Sequence, residues 1–327
     1  MRVTLDQDER DLAAMCRSVL AAELAPEAQW KALSDAGVLG LPVDGSLTDV
    51  GLFYMEAGRA LCPRVVASTL YATLAIGWLG VGAEWLPRLT SGEARGTCAL
   101  FDPRDASAGR PVSGVAEFVT DADQADVIVV STDAGVMAVD TTARGVTIEP
   151  VATMGGFPAF TVRLDEVALG KPTPVDPEQL RRVANAVVAL DCMDLVGIGA
   201  AVLDRTVEYT KMREQFGRPI ASFQAAQHIV ADMHIALSAA RLAAHSAVFQ
   251  LGQGRTATRE TAIARMRAAE VKKITLDAHQ LHGGMGYVVD TGLHKYSERA
   301  RILSTIGGGA DIAAEWLAGE MNWKGRL

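Results

Sequence analysis

The sequence has few of the features that mark a disulfide-rich protein. Its 327 residues include only four cysteines, and no two of them form a C-x-x-C pair. They lie far apart in the chain, at Cys16, Cys62, Cys98 and Cys192. Scattered cysteines are typical of free thiols in a reducing compartment rather than of a disulfide framework. We therefore expect no disulfide bonds and a cytoplasmic location.

Positive charge and long apolar runs are also scarce. The chain has 31 Lys and Arg against 39 Asp and Glu, which gives a formal net charge of −8. Nucleic acids and anionic membranes are bound by clustered Lys and Arg, so this balance argues against both partners. The N-terminus lacks the apolar run of a signal peptide. The apolar stretch 65–81 is interrupted by polar residues and is too short to span a bilayer.

Metal-binding patterns are missing as well. His279 and His282 are three residues apart, but no cysteine or carboxylate at a suitable spacing completes a metal site. We therefore expect no metal. The basic residues of the 256–281 run are interpreted as a solvated helix face that could border an ADP or CoA site. They are Arg265, Arg267, Lys272 and Lys273.

Hydrophobic patterning divides the chain into three segments. Residues 1–95 carry apolar side chains at helical spacing, which predicts an N-terminal helical domain. Residues 96–172 contain short β-branched runs separated by Gly, Asp and Pro, which predicts a small, shortened middle β-domain with an antiparallel sheet or small barrel. Residues 173–327 contain long helical runs with short connections, which predicts a C-terminal four-helix-bundle domain. The predicted fold class is α+β.

Two motifs in the third segment carry most of the functional information. One reads R-E-Q-F-G-R-P-I-A-S-F-Q from Arg213 to Gln224, and the other reads Q-L-H-G-G-M-G-Y from Gln280 to Tyr287. A guanidinium can form paired hydrogen bonds with pyrophosphate oxygens, and glycines let backbone N–H groups approach a dinucleotide. The motifs resemble the R-x-x-F-G-x-x-I/L-x-x-F/H-Q and Q-x-x-G-G-x-G-Y/F signatures of the acyl-CoA dehydrogenase family. The resemblance covers nearly the whole chain.

The resemblance implies an acyl-CoA dehydrogenase-like fold and an FAD that is shared between subunits. In the family, the flavin ring and the acyl chain sit in one subunit, while residues of these two motifs reach the ADP half from the neighbouring subunit. The cofactor-binding residues that this implies are Arg213, Gln215, Phe216, Gln224, Gln280, Leu281, His282, Gly283 and Gly284.

The catalytic base of the family is missing from its usual places. Family members take the α-proton of the thioester with the Glu of an E-G-T/S segment, and some relatives carry the base on the first long helix of the C-terminal domain. Here Gly307 stands at the first position, Gly309 replaces the hydroxyl residue after it, and counting back from Arg213 puts Val187 at the second position. Neither glycine nor valine can accept a proton.

One carboxylate remains as a weak candidate for a relocated base. Asp191 lies four residues after Val187, so the two side chains leave nearly the same face of a helix. Asp194 and Asp311 are weaker candidates still. A capping, paired or solvated carboxylate is the simpler interpretation of all three.

The middle segment departs from the family on the flavin-ring side. Catalytic members carry A-L-T-E-P-x-A-G-S-D followed by W-I/V-T/S. This chain reads A-L-F-D-P-R-D-A-S-A-G from Ala99, and F-V-T from Phe118. Phe101 therefore replaces a hydroxyl, and the stretch before Phe118 is shortened. The pattern indicates that the ring-binding half of this chain's own site is lost.

The resemblance thus predicts a subunit of an FAD-dependent acyl-CoA dehydrogenase that donates ADP-binding residues to a longer catalytic partner chain. Base-less chains of this type resemble the small subunits of actinobacterial heterotetramers, with two copies of each of two chains, that desaturate steroid-CoA thioesters. The implied partners are that catalytic subunit, an acyl-CoA substrate and an electron-transferring flavoprotein. Two alternatives stay open: a self-sufficient homo-oligomeric enzyme with Asp191 as base, and a flavin-free structural paralogue.

Overall fold

The computed structural model describes residues 4–22, 24–100, 114–132, 134–165 and 172–321. Helices come first, two small sheets follow, and long helices complete the chain. This order confirms the predicted α+β fold class. The predicted domain boundaries at 96 and 173 stay predictions. Residue Phe101 and the rest of the segment 101–113 lie outside the described residues.

The N-terminal helices begin where the sequence supplies caps. Asp6 and Glu9 form a capping box at the first helix, and Ser46 and Asp49 form another at the fourth, so each pair satisfies backbone N–H groups that the helix leaves open. Pro63 precedes the fifth helix, where its missing N–H costs nothing. The helices are α1 (Gln7–Ala21), α2 (Pro26–Asp35), α3 (Leu41–Asp44), α4 (Leu47–Ala60), α5 (Arg64–Leu79) and α6 (Leu86–Thr90).

The middle segment forms two three-stranded sheets with the orders β1-β3-β4 and β2-β6-β5. Their strands are β1 (Gly96–Ala99), β2 (Val115–Thr120), β3 (Val127–Thr132), β4 (Gly135–Asp140), β5 (Val146–Pro150) and β6 (Ala159–Leu164). The expectation of antiparallel pairing alone is wrong for one pair, because β1 and β3 run parallel. The intervening strand β2 belongs to the other sheet, so the chain re-enters the first sheet in the same direction.

The C-terminal segment is a bundle of long helices with a short hairpin. Its elements are α7 (Pro177–Met212), β7 (Glu214–Gln215), β8 (Arg218–Pro219), α8 (Gln224–Gly252), α9 (Thr258–Ala268), α10 (Val271–His282), α11 (Leu293–Leu303) and α12 (Gly309–Glu320). The single helix predicted over 256–281 is wrong, because the chain breaks between α9 and α10. The break contains neither Gly nor Pro. There Glu270 N–H donates to the Arg267 carbonyl, a tighter i to i−3 turn.

Helix α7 is the central element of the bundle. By length and composition it could cross a membrane, yet 83% of its most apolar window is buried inside the protein, as in the core helix of a globular domain. One hydrophobic core joins residues of α4 and α5 to residues of α7, α8 and α10. The N-terminal and C-terminal helices are therefore packed around a common interior.

Two glycines allow α4 and α7 to touch backbone to backbone. A Cβ at Gly197 of α7 would lie 1.9 Å from the Met55 carbonyl oxygen, and a Cβ at Gly58 of α4 would lie 2.1 Å from the Asp194 carbonyl oxygen. Neither position can carry a side chain unless the helices separate. The crossing of α4 and α7 therefore depends on glycine at both positions.

Replacing the crossing glycine with alanine should destabilise the protein. We expect Gly197→Ala to lower the free energy of unfolding by about 3 kcal/mol, because the added methyl meets a backbone atom that cannot move aside. The matched control is Gly77→Ala in α5, where a Cβ meets nothing within 4 Å. It should raise the free energy of unfolding by about 0.5–1 kcal/mol. Urea unfolding of both variants checks this, and an equal effect of the two would contradict the close crossing.

Candidate functional site

The first motif begins where α7 ends. Arg213 is the C-cap residue of α7 and adopts an extended backbone conformation, so the chain leaves the helix axis at this residue. The second motif lies at the end of α10 and in the turn after it. Tyr209, one turn before Arg213, donates its hydroxyl hydrogen to the His282 carbonyl at 3.3 Å. The fold therefore brings the two motifs, predicted from separate parts of the sequence, next to each other.

A tight hairpin projects from the first motif. Phe216 and Gly217 connect β7 to β8 and both have left-handed backbones, with φ of 56° and 79°. This conformation suits Gly217 but is strained for Phe216. The Phe216 side chain is 93% exposed, and its ring stands edge-on to Phe223 at 6.1 Å. Such a large exposed aromatic on a strained turn indicates a contact with another molecule.

The predicted cofactor-binding residues divide into an outward set and an inward pair. The outward set is exposed and consists of Arg213, Gln215, Phe216, Gln224, Gln280, Gly283 and Gly284. A Cβ at Gly283 or Gly284 would meet nothing within 4 Å, so the backbone there is open to an approaching ligand. Leu281 and His282 are buried, with 8% and 9% of their surface exposed. Any contact from these two positions to a nucleotide would therefore come mainly from their backbone.

The outward set suits the ADP half of a dinucleotide. An exposed guanidinium offers paired donors to phosphate oxygens, and the open glycine backbone allows close approach without a side chain in the way. The exposed amides of Gln215, Gln224 and Gln280 can donate and accept further hydrogen bonds. We refer to these seven residues below as the donor surface.

A separate cavity of about 620 Å³ lies inside the chain, between α5, α7, the sheets and the end of α11. Val187, Asp191 and Gly307 all line it. The two positions at which the resemblance places a base, Val187 and Gly307, and the alternative candidate Asp191 thus line the same cavity. At 1.5 Å per residue along α7, the cavity residue Asp191 and the donor residue Arg213 are roughly 33 Å apart.

At the position where the resemblance places the usual base, the backbone adopts conformations that favour glycine. Gly307, Gly308 and Gly309 have φ values of 60°, 86° and 63°, which L-residues rarely adopt. A Cβ at position 307 would stand 3.2 Å from Nη2 of Arg265, and this guanidinium donates a hydrogen bond to the Ile306 carbonyl. In this chain a guanidinium therefore lies beside the position where the family has a carboxylate.

Arg265 was expected on a solvated helix face, and that expectation is wrong for this residue. Arg265 is only 9% exposed, lines the cavity and lies 5.3 Å from the ring of Trp316. Arg267, Lys272 and Lys273 are exposed, as predicted. The break between α9 and α10 separates Lys272 and Lys273 from Arg265, and Arg267 leaves α9 two residues further on, from a different face, so the basic residues do not share one face.

Asp191 lines the cavity with 17% of its side chain exposed. Burial raises the pKa of its carboxyl, while the Arg64 charge and a hydrogen bond from Tyr71 act in the opposite direction. The Tyr71 hydroxyl donates to Asp191 Oδ1 at 2.6 Å, and Arg64 Nη2 lies 3.3 Å from the same oxygen. The pKa of Asp191 is raised on balance, and Tyr71 and Arg64 both contact its Oδ1, so this oxygen is engaged in contacts within the chain.

The two weaker candidates lie away from the cavity wall. Asp194 is completely buried and forms ion pairs with Arg64 at 3.1 Å and with Arg299. Arg299 also donates to the Cys62 carbonyl at 2.6 Å, which ties α11 to the end of α4. We call Arg64, Asp194 and Arg299 the buried ion cluster. Asp311 is exposed at the start of α12.

The sheet side of the cavity is closed by Phe118 and Thr120, which both line it. Phe118 lies at an irregularity in the β2–β6 register, has φ of 57° and is 40% exposed. Next to Thr120, the Asp121 carboxylate is buried against α5, where the Ser68 hydroxyl donates to it at 2.5 Å. Burial raises the pKa of Asp121 to about 6. The titratable Asp121 carboxyl group thus lies where helix α5 packs against the end of strand β2.

Within the described ranges, no group of three or more His, Cys, Asp or Glu side chains could hold a metal ion. His279 is hydrogen bonded to Ser297 at 2.6 Å, and His282 Nδ1 donates to the Ala278 carbonyl at 2.8 Å. Both histidines predicted to pack or face solvent therefore bond within the chain. Sequence reasoning missed Tyr209 and the buried ion cluster. Tyr209 could have been found from its spacing, one helical turn before Arg213.

Comparisons with known proteins place these features in a family context. The family model for the acyl-CoA dehydrogenase C-terminal domain matches residues 188–321. The chain is 31% identical over 281 residues to acyl-CoA dehydrogenase IpdE2 of Mycolicibacterium smegmatis, covering 83% of this chain and 80% of that protein. It is 30% identical over 327 residues to acyl-CoA dehydrogenase FadE28 of Mycobacterium tuberculosis, covering 91% and 94%.

Solved structures agree on the fold. A variant of the steroid ACAD Tcur3481-Tcur3483 is 26% identical with a TM-score of 0.87, covering 98% of this chain and 99% of the other. The ChsE4-ChsE5 complex of Mycobacterium tuberculosis is 22% identical with a TM-score of 0.88 and the same coverage. At 22% identity, the similarity to the ChsE4-ChsE5 complex is evidence for the fold alone.

The buried Asp121 carboxyl should make the free energy of unfolding decrease as the pH rises, which is the reverse of the usual effect of a carboxyl group. Because the folded-state pKa of Asp121 is raised from 3.8 to about 6, the folded chain keeps a proton that the unfolded chain releases, and stability falls as pH rises from about 4 to 6. We expect Asp121→Asn to match the parent at pH 4 and to exceed its free energy of unfolding by about 2–3 kcal/mol at pH 7.5.

Urea unfolding at a series of pH values measures this difference. The matched control is Asp35→Asn, which removes an exposed carboxylate that is not among the groups acting on Asp121 and should keep the parent's pH profile. A constant difference between Asp121→Asn and the parent from pH 4 to pH 7.5 would contradict the assignment.

Proposed function

The chain belongs to the acyl-CoA dehydrogenase family, and from this membership we propose that it is the non-catalytic subunit of a hetero-oligomeric, FAD-dependent acyl-CoA dehydrogenase. It donates the donor surface to the ADP half of an FAD whose flavin ring lies in a longer partner subunit. That partner supplies the carboxylate base, the flavin-ring pocket and most of the acyl pocket. The FAD supplies the hydride acceptor for α,β-desaturation of the thioester.

One observation carries the proposal: the donor surface begins at the C-terminal end of α7, whereas the residues of α7 that line this chain's own cavity lie in its first half and at its middle. The rough separation of 33 Å follows from the rise of 1.5 Å per residue between Asp191 and Arg213. The donor surface is exposed, including the 93% exposed Phe216. A surface that faces away from its own cavity is suited to a cofactor held by a neighbouring chain.

The composition of the cavity supports the second half of the proposal. Val187 and Gly307 stand at the two positions where a base is expected, and neither can accept a proton. Arg265 lies beside Gly307, and a cation there would lower the pKa of a carboxylate base, which would make it a weaker proton acceptor. We therefore assign proton abstraction to the partner chain.

The class of assembly and of substrate is inferred from the relatives. Tcur3481-Tcur3483 is described as a steroid ACAD, and ChsE4-ChsE5 is described as a complex. Both names join two gene products, which supports a heterotetramer with two copies of each chain. We propose a steroid-derived acyl-CoA as substrate, an electron-transferring flavoprotein as electron acceptor, and the cytoplasm as location.

Loss of the donor guanidinium should weaken FAD binding in the assembled enzyme. The chain is co-expressed with a longer acyl-CoA dehydrogenase chain that keeps the E-G-T/S segment, and FAD affinity is measured by fluorescence titration. We expect Arg213→Ala to raise the FAD dissociation constant by about 10- to 100-fold, because a charge-assisted pair to pyrophosphate is lost.

The matched control is Arg255→Ala, which removes another exposed guanidinium, in the turn after α8. It should leave the dissociation constant unchanged. A yellow, active protein obtained from this chain alone would contradict the proposal, and so would an assembly of the two chains that binds no added FAD.

A second candidate function is a self-sufficient enzyme with Asp191 as base, favoured by its position on the cavity wall. Loss of a general base typically costs 100-fold or more in rate, on the order of 10²–10⁴. Because Arg64 and Tyr71 already occupy Oδ1 of Asp191, we expect Asp191→Asn to change turnover of the assembled enzyme by less than about twofold.

Asp204→Asn on the same helix is the control, since its carboxylate is 63% exposed and pairs with Arg59 at the surface. Steady-state desaturation rates of the three assemblies decide between the candidates. A fall of 100-fold or more in kcat for Asp191→Asn alone would establish the second candidate.

A further inference from the structure

We infer that Tyr209 is a positioning residue that holds the two halves of the donor surface in one arrangement. The inference rests on the proposed function. Tyr209 is half-buried on the last turn of α7, and none of the sequence motifs includes it. It contacts both motifs directly, one through its backbone and the other through its ring and hydroxyl.

The backbone of Tyr209 fixes the start of the first motif. The Arg213 N–H donates to the Tyr209 carbonyl at 2.8 Å, and this hydrogen bond closes the last turn of the helix. Arg213 then turns away in an extended conformation with φ of −79° and ψ of 120°. The direction in which the Arg213 side chain leaves the helix is therefore set relative to Tyr209.

The side chain of Tyr209 fixes the second motif. Its ring stacks on the His282 imidazole with the centroids 4.2 Å apart and the planes at 15°. Its hydroxyl donates to the His282 carbonyl at 3.3 Å. The imidazole itself is fixed, because a carbonyl can only accept and His282 Nδ1 must therefore donate to Ala278. Burial lowers the pKa of His282, which keeps the stacked ring neutral.

The contact between Tyr209 and His282 lies directly before the two glycines of the donor surface. The His282 carbonyl directly precedes Gly283, whose backbone has φ of 56° and ψ of −135°. A Cβ at Gly283 or Gly284 would meet no atom within 4 Å, so packing around the two glycines gives little restraint. Glycine loses more conformational freedom on ordering than any other residue, and that loss opposes ligand binding. Tyr209 orders the segment before a nucleotide arrives.

The test compares two Tyr209 variants in the assembled holoenzyme. Tyr209→Phe keeps the stacking and removes the hydroxyl, and we expect the FAD dissociation constant to rise about fivefold, as for one lost hydrogen bond. Tyr209→Leu removes the stacking as well, and we expect a total rise of about 30-fold. Amide hydrogen exchange at residues 283–287 of the FAD-free assembly should become faster in both variants.

The matched control is Tyr54→Phe, which also removes a tyrosine hydroxyl that donates to a backbone carbonyl, that of Ala67 at 2.7 Å. It should lower thermal stability and leave both the FAD affinity and the exchange at 283–287 unchanged. If the Tyr209 variants behave in the same way as this control, Tyr209 is only a structural residue and the inference is overturned.

The failure of this inference differs from the failure of the proposed function. If Arg213→Ala weakens FAD binding while both Tyr209 variants leave it unchanged, only the role of Tyr209 is refuted. If Arg213→Ala itself has no effect on FAD binding, the donor surface is refuted and the role of Tyr209 with it.

Discussion

The continuity of α7 is the constraint on which the rest of this structure depends. It is one helix of 36 residues, buried along most of its length. Val187 and Asp191 line the cavity from the first half of α7, and Tyr209 and the C-cap residue Arg213 lie at its C-terminal end. An unbroken helix keeps these two regions apart. The cavity and the donor surface are therefore held apart by the backbone itself, whatever the side chains do.

The position of α7 is fixed by contacts that tolerate little change. Gly58 and Gly197 allow α4 and α7 to meet without side chains between them. The buried ion cluster then ties α7 to α5 and α11, since Asp194 pairs with both Arg64 and Arg299. Removal of one partner from such a cluster would leave an uncompensated charge in the interior. The cluster thus specifies one arrangement of the three helices.

The same contacts hold the part of the cavity wall that contains Gly307. Helix α11 leads directly into the turn that contains Gly307, and Arg299 anchors α11 to Asp194. The left-handed glycines at 307–309 allow the sharp turn into α12, and Arg265 holds the Ile306 carbonyl from the other side. The glycine backbone and the hydrogen bond from Arg265 hold this turn, and neither of them requires a carboxylate at position 307.

The sequence predicted the fold class because helical periodicity and caps are local signals. The capping pair Asp6 and Glu9 and the stop at Pro63 could be read without any tertiary information. The parallel pairing of β1 and β3 could not, because it depends on which sheet receives β2. The break at Glu270 has no Gly or Pro to mark it, and it decides that Arg265 faces inward.

The candidate site was predictable where it consists of exposed backbone and motif residues, and unpredictable where it depends on packing. Arg213, Phe216 and Gly283 belong to the two motifs that resemble the family signatures, and they lie at the surface as a cofactor contact would require. The inward orientation of His282 follows from stacking on Tyr209, a contact between residues distant in sequence. The spacing of residues along a sequence does not show which residues at a helix end are buried by a neighbouring helix.

The central claim is that this chain serves a flavin in another subunit and holds none of its own. The measurement that tests it most directly is the ratio of FAD to each chain in the purified assembly, from flavin absorbance and quantitative amino-acid analysis. The account predicts one FAD for each pair of unlike chains and a colourless product when this chain is expressed alone. Two FAD for each pair, or one FAD bound to this chain alone, would contradict it.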